Sequence, residues 1–273
     1  MIFSRKMILA LQYWQGDEEK AHRLACLLAD LEDDFRTDVV LALVSRFDYV
    51  ETPSLQKTLE YCRKKFLCVS KRSEFPGTGH LEGSNQLWRG TMETFGKLFE
   101  ERKLSSSAIF TFEPDSTPIS KNWISGLMAE HEQTSLGGKQ ITGVVMNLEY
   151  PTPTTCAGCT MNDIKTKNPV TKTFAKTAPF CVGCHVNGNL IMDLSFWTQH
   201  REILSKTPAF ASWDTYHAAT LLPHTRPTRK ILNEYNSGGW TIGRLAKAAE
   251  EGGLWLHGFK DDSAYMCARE LLT

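Results

Sequence analysis

No stretch of this 273-residue sequence is apolar for anything near the ~20 residues that a membrane-spanning helix needs. At the N-terminus, Arg5 and Lys6 precede only the short run Met7 to Leu11 before Gln12. That run is too short for the core of a signal peptide, and no small-residue cleavage site follows it. These absences predict a chain that works in the cytoplasm. There is no excess of charge either, since Lys+Arg and Asp+Glu number 31 each. A protein that grips nucleic acid or a membrane by bulk electrostatics is thereby disfavoured, while a local basic face is not. Internal repeats and low-complexity tracts are missing as well. In a reducing compartment the eight cysteines are not expected to form disulfides, and four of them need another explanation.

What is present, at 41% hydrophobic residues, is enough for a sizeable core. The first half alternates continuous apolar runs with helical spacing. Met7 to Leu11, Val39 to Val44, Phe66 to Ser70, Ala108 to Phe112 and Ile141 to Met146 read as buried strands. Between them, Ala21, Leu24, Ala25, Leu28, Leu31 and Phe35 recur at helical spacing. Leu55, Leu59, Cys62 and Phe66 do the same after Pro53, as do Trp88, Met92, Phe95 and Phe99, and Asn122 to His131 reads as a further helix. Strands that are apolar throughout, separated by amphipathic helices, predict an α/β fold with a mostly parallel sheet covered on both faces. Residues 151–184 are rich in Pro, Thr and Cys and read as an insert within one domain spanning residues 1–273.

Parallel sheets bind ligands at the carboxyl ends of their strands. The first expected strand is followed by Gln12-Tyr13-Trp14-Gln15-Gly16-Asp17, the second by Ser45-Arg46-Phe47-Asp48, and the fourth by Glu113-Pro114-Asp115-Ser116. Aromatic rings there suit a planar base, and carboxylates suit ribose hydroxyls or base N–H groups. For Asp17, ahead of Glu18 and Glu19, helix N-capping is the simpler expectation. For Glu113 and Asp115, after an apolar strand, a functional role is the better one.

The segment Phe110-Thr111-Phe112-Glu113-Pro114-Asp115 resembles the DxD region of the GT-A glycosyltransferases, with Glu in place of the first Asp. Three more segments resemble that family in the same order: Asn187-Gly188-Asn189-Leu190-Ile191-Met192-Asp193, Ser212-Trp213-Asp214 and His257-Gly258-Phe259-Lys260. The resemblance covers residues 7–150 and 185–260. It implies a Rossmann-like GT-A fold and transfer of a sugar from a nucleotide-sugar donor, by family habit a UDP-sugar. A Mn²⁺ or Mg²⁺ ion would be held by Asp115 and His257 against the donor diphosphate, because a departing diphosphate needs a hard cation and hard cations want oxygen ligands. By the same resemblance Lys260 would reach the diphosphate, and Gln12, Tyr13, Asp17, Arg46 and Asp48 would surround the nucleotide. His185, Asn187, Asn189 and Trp213 would line the acceptor side, with Asp214 as the catalytic residue that orients or deprotonates the acceptor hydroxyl. Asp214 as a base suggests inversion of the anomeric centre, whereas the Asn-Gly and His-Gly-x-Lys segments look more like retaining members.

Cys156-Ala-Gly-Cys159 and Cys181-Val-Gly-Cys184 form two CxxC knuckles with the gap of a four-thiolate structural zinc site. With all four positions filled by sulfur, none is open for catalysis. The acceptor stays open at this level. A hydroxymethylated base in DNA is one class, to which the basic stretch His224-Thr225-Arg226-Pro227-Thr228-Arg229-Lys230 would contribute; glycans, proteins and small molecules are others. Two alternative functions also remain. A nucleotidyltransferase shares the architecture but usually carries a Gly- and Arg-rich loop after the first strand, where this chain has a single glycine. A zinc-knuckle nucleic-acid-binding protein on an inactive scaffold would not need Asp115 or Asp214.

Overall fold

The computed structural model describes residues 6–103, 106–147, 184–209 and 211–273. The large sheet is built outward from β1 (Lys6–Tyr13), an inner strand in which every residue from Met7 onward is buried. β1 pairs in parallel with β2 (Arg36–Ser45) and with β4 (Ser106–Phe112), and β2 pairs in parallel with β3 (Phe66–Arg72). Beyond β4 come β7 (Cys184–Asp193), β6 (Ile141–Asn147) and β8 (Thr225–Pro227), giving the order β3-β2-β1-β4-β7-β6-β8. β7 runs antiparallel to both neighbours, and the other six strands share one direction. The five strands expected from apolar runs are all present. The Asn187-Gly188-Asn189 segment lies inside β7.

The period of two in β1 builds both cores. Met7, Leu9, Leu11 and Tyr13 face one hydrophobic cluster, and Ile8 and Ala10 face the other. The first cluster is covered by α1 (Glu18–Asp30), α2 (Pro53–Cys62) and α4 (Trp123–Leu136). The second is covered by α3 (Ser84–Glu100) and α5 (Leu194–Leu204). α2 starts as its sequence demands: the Thr52 hydroxyl accepts the Leu55 N–H and Pro53 occupies the first turn, where a missing N–H costs nothing. The helix expected through Phe35 ends at Asp30, and Phe35 is 45% exposed. The apolar spacing there ran on by chance into the Asp33-Asp34 turn.

A second, three-stranded sheet was not foreseen. It has the order β5 (Ser116–Pro118), β10 (Trp255–Phe259), β9 (Ile231–Ser237), with β10 antiparallel to β5 and parallel to β9. Trp255 anchors it: its ring lies 5.2, 4.9 and 4.9 Å from those of Phe110, Phe112 and Trp123. β4 is thus held in register with β10, and this contact builds the site described next. Short helices α6 (Trp213–Tyr216) and α7 (Ala218–Leu221), then α8 (Ile242–Glu250) and α9 (Ser263–Leu272), complete the described chain. No helix among the described residues is long and apolar enough to cross a membrane.

Candidate active site

β4 ends at Phe112, and the chain turns through Glu113-Pro114-Asp115 before pairing as β5 with β10. The turn is closed by the Ser116 hydroxyl, which donates to the Glu113 carbonyl. In the small sheet His257 stands opposite Ser116 on one side and Asn233 on the other. The sheet therefore puts three polar residues from distant parts of the sequence in one place. The register of β10 slips between His257 and Phe259 at Gly258, whose φ is +90°. Only glycine takes that conformation readily. Gly258 N–H donates to the Asp115 carbonyl at 3.0 Å, which ties the two halves of the site together.

His257 Nε2 lies 3.4 Å from Glu113 Oε2 and 3.4 Å from Asp115 Oδ1. One ligand atom from each of Glu113, Asp115 and His257 falls within 4.8 Å of the other two. His257 is buried, Asp115 half-buried and Glu113 exposed, so the cluster opens to solvent on one side. The other ring nitrogen, Nδ1, is 2.9 Å from Asn233 Oδ1, and the Asn233 amide in turn donates to Met146 Sδ at 3.0 Å. With the Nδ1 proton held by Asn233, displacement of the Nε2 proton by a bound cation would leave Nε2 as the lone-pair nitrogen aimed at the acids. This is the arrangement that orients metal-bound histidines. Asp115 Oδ1 is buried, with His257 Nε2 as its charged neighbour.

The two acids also set the charge of the ring, which carries both protons at neutral pH until a cation takes the place of one. Burial pushes the His257 imidazole down, but the hydrogen bonds and charges of Asp115 and Glu113 outweigh it and lift the group to about 9. Burial pushes Asp115 up, yet His257 and Lys260 hold it below the ordinary carboxylate value. Asp17 also belongs here: burial raises its carboxyl, with Asp115 and Glu113 adding to the rise against Trp14 and Lys20. It stands at the N-cap position of α1 but makes no capping hydrogen bond with its side chain. Asp17 thus stands where the N-cap was expected, but its carboxylate takes a hydrogen bond from Trp14 instead of capping the helix. Two hard oxygens, a fixed imidazole nitrogen and a field negative enough to lift a buried histidine suit a divalent cation such as Mn²⁺ or Mg²⁺.

Around this centre the expected residues divide. Arg46 and Asp48 do sit together at the end of β2, in a two-pronged pair with both N–H···O distances at 2.7 Å. The Arg46 guanidinium lies 5.2 Å above the Trp14 ring, which is 46% exposed. Tyr13 and Gln12, by contrast, are buried. Tyr13 packs edge-on against Tyr49, and the Gln12 amide donates to Thr91 Oγ1 at 2.7 Å. Neither side chain faces solvent at the end of β1. Strand alternation turns Tyr13 into the core, and Trp14, one residue on, is the aromatic presented to solvent.

On the far side of β4, the Thr111 hydroxyl donates to the Gly188 carbonyl at 2.9 Å and joins β7 to the site. A methyl group on Gly188 would lie 3.5 Å from the Trp213 ring and 3.9 Å from Asp214 Oδ2. The structure therefore does bring Asp214, Trp213 and the Asn187–Asn189 segment together. Asn189 is buried, its Oδ1 accepting from the Trp255 indole at 3.4 Å, and its Nδ2 has no partner. His185 is buried with an unpartnered Nδ1. Trp213 is a core residue, stacked on Trp88 at 3.7 Å, rather than an open platform. Lys260 lies close enough to Asp115 to lower its pKa. Cys156, Cys159 and Cys181 lie outside the described residues, and Cys184 opens β7.

Among solved structures the chain is similar to WbbM, a bifunctional glycosyltransferase, with a TM-score of 0.54 at 9% identity over 94% of this chain and 46% of that one. The fold is GT-A-like. S. aureus TarS matches at 0.48 and 10% identity, covering 96% of this chain and 38% of its own. Core-mannan synthase A from Aspergillus fumigatus, in a Mn/GDP form, matches at 0.47 and 10% over 82% of this chain and 73% of that chain. At these identities the likeness concerns the fold alone. The chain spans less than half the length of WbbM and of TarS. No family model and no curated protein matches the sequence.

Asn233 was not foreseen. It belongs to no local pattern and acquires its place beside His257 only through the pairing of β9 with β10. Glu113, the departure from DxD, stands as close to His257 Nε2 as Asp115 does.

Proposed function

We propose that the protein is a metal-dependent glycosyltransferase, moving a sugar from a nucleotide-sugar donor, with UDP-sugars first among them, to a hydroxyl acceptor. The observation that carries this reading is the Glu113–Asp115–His257 cluster at the carboxyl end of β4 in a GT-A-like sheet. Asp115 and His257, joined by Glu113, would hold Mn²⁺ or Mg²⁺. Bound there, the ion supplies Lewis-acid neutralisation of charge on a leaving diphosphate. Asn233 fixes the His257 tautomer, and Lys260 adds positive charge beside the acids. Trp14, Asp17, Arg46 and Asp48 form the nucleotide side. Asp214, half-buried against Gly188, takes the acceptor proton as general base. His185, Asn187 and Asn189 line the acceptor path along β7.

Two finer proposals go with it. Cys156, Cys159, Cys181 and Cys184 bind a structural zinc ion that anchors the head of β7, and with it the acceptor side. Replacing Cys184 by Ser should release zinc and abolish transfer together; transfer that survives zinc loss overturns this. A hydroxymethylated base in DNA is the proposed acceptor, supported by Arg226 and Arg229, which are exposed at and just beyond the edge strand β8. It predicts binding to duplex DNA that weakens steeply with salt. A cytoplasmic site of action suits reduced cysteines and nucleotide sugars alike.

The central test is slow donor hydrolysis in Mn²⁺ with UDP-, GDP- and ADP-sugars, wild type beside Asp115→Ala. Hydrolysis of one donor, lost in the variant, is expected. Absence of hydrolysis and of donor binding across the panel overturns the transferase reading in favour of a nucleic-acid-binding protein.

A further inference from the structure

Asp214 sits in a four-residue helix, too short to be stable by its own hydrogen bonds. Something else must hold the turn. Asn85, near the start of α3, is 3% exposed, and both ends of its amide are used. Its Nδ2 donates to the Ala211 carbonyl at 2.7 Å and its Oδ1 accepts the Trp213 N–H at 2.9 Å, across 126 and 128 residues of sequence. The two contacts straddle Ser212 and pin the backbone on both sides of it. One turn further along α3, Trp88 stacks on the Trp213 ring with an interplanar angle of 9°, and Trp197 meets Trp88 edge-on at 5.3 Å. With Trp213 locked, Asp214 Oδ1 is left to accept from the Ser212 hydroxyl and from Thr215 N–H at 2.8 Å, and Oδ2 faces Gly188.

We propose that Asn85 is the positioning residue for Asp214, acting through the backbone of the 211–213 turn and not by touching substrate. The proposal rests on the reading of Asp214 as the acceptor-side base. Only an amide meets the geometry, because one side of it must donate to a carbonyl while the other accepts an N–H. Asp at this position would keep the second bond and set a carboxylate oxygen against the Ala211 carbonyl. α3 also reaches the donor side. A Cβ on Gly83, two residues before Asn85, would come within 2.9 Å of Arg46 Nη1. One helix end therefore touches both the residue pair proposed for the nucleotide and the turn that carries the proposed base.

The experiment compares amide hydrogen exchange in wild type, Asn85→Ala, Asn85→Asp and Asn85→Ser. Exchange over residues 211–217 should rise about tenfold in all three variants, because Ala and Ser are too short to make either bond and Asp sets a carboxylate oxygen against the Ala211 carbonyl. Exchange over α4 should not change. Unaltered protection of 211–217 overturns the proposal, as does an equal rise in α4, which marks a global loss of stability. In donor hydrolysis, Asn85→Ala should lower kcat about tenfold or more with the donor KM unchanged, and should add nothing in an Asp214→Asn background. Losses that multiply in the double variant overturn the positioning role. A wild type that hydrolyses no donor removes the transferase reading, and the exchange data then decide the role of Asn85 in the turn by themselves.

Discussion

Consider replacing His217 by glutamine. His217 closes the turn that carries Asp214: its N–H donates to the Trp213 carbonyl at 2.9 Å, and its Nε2 meets Thr207 Oγ1 at 3.0 Å. Burial pushes its imidazole down to about 4, against a hydrogen bond to the Leu204 backbone that favours the charged form. An ordinary histidine titrates near 6.5. Below that pH the unfolded chain takes up a proton that the folded chain refuses until about 4. Stability from His217 is therefore complete above pH ~6.5, falls as pH drops, and levels off once the folded form also titrates. At ~1.4 kcal/mol per pH unit the whole effect is about 3 kcal/mol, of which about 2 kcal/mol falls between pH ~7 and pH ~5. For a chain of this size that is a melting shift of roughly 4–8 °C. Thermal melts of wild type and His217→Gln across this range isolate the term, since His22, also pushed down by burial, and the carboxylates contribute to both proteins alike. The wild type should lose stability more steeply toward acid, and the two curves should converge as pH falls. Parallel curves would refute a His217 buried in its neutral form.

Gly258→Ala should cost about 1–2 kcal/mol through its positive φ, and displacing His257 should weaken Mn²⁺ binding at least about tenfold by calorimetry, an effect of the size seen when metal ligands lose their support. Asn233→Ala leaves both acids in place but frees the His257 ring, and should weaken Mn²⁺ binding about 10- to 100-fold with little change in melting temperature. Glu18→Ala removes the carboxylate that accepts from Gln15, Tyr49 and Thr52. It should cost about 1–3 kcal/mol in urea unfolding and increase protease nicking of the loop after Asp48.

Much of the large sheet was legible because its strands are buried on both faces. Met7 to Leu11 and Ala108 to Phe112 read as apolar runs whatever their neighbours are. The small sheet was not legible. β5 has three residues and β10 five, lengths at which periodicity says nothing, and their partners lie well over a hundred residues apart. The site was split in the same way. Asp115 and His257 were found by motif, and the geometry sets them side by side. Tyr13 and Trp14 differ by one position, and the face of a strand's last residue depends on what packs below it. Phe35 extended a helical pattern that the chain itself ends at Asp30. Asn233 and Asn85 carry no local signal, because an asparagine that braces another residue looks in sequence like any surface asparagine.

The place of β7 in the sheet bears on how the chain is made. β4 is complete at residue 112, yet the strand that covers its free edge starts at residue 184, and both neighbours of β6 are synthesised after it. A nascent chain that has reached residue 147 therefore carries two apolar strands with unpaired edges, and nothing already made can shield them. The contact order is high on this side of the sheet and low on the side of β1, β2 and β3. Folding should proceed from that local side, with closure over β7 as the slow step. Ribosome pauses between residues 147 and 193 would prolong the stage at which the chain is most exposed to edge-to-edge association and to chaperones.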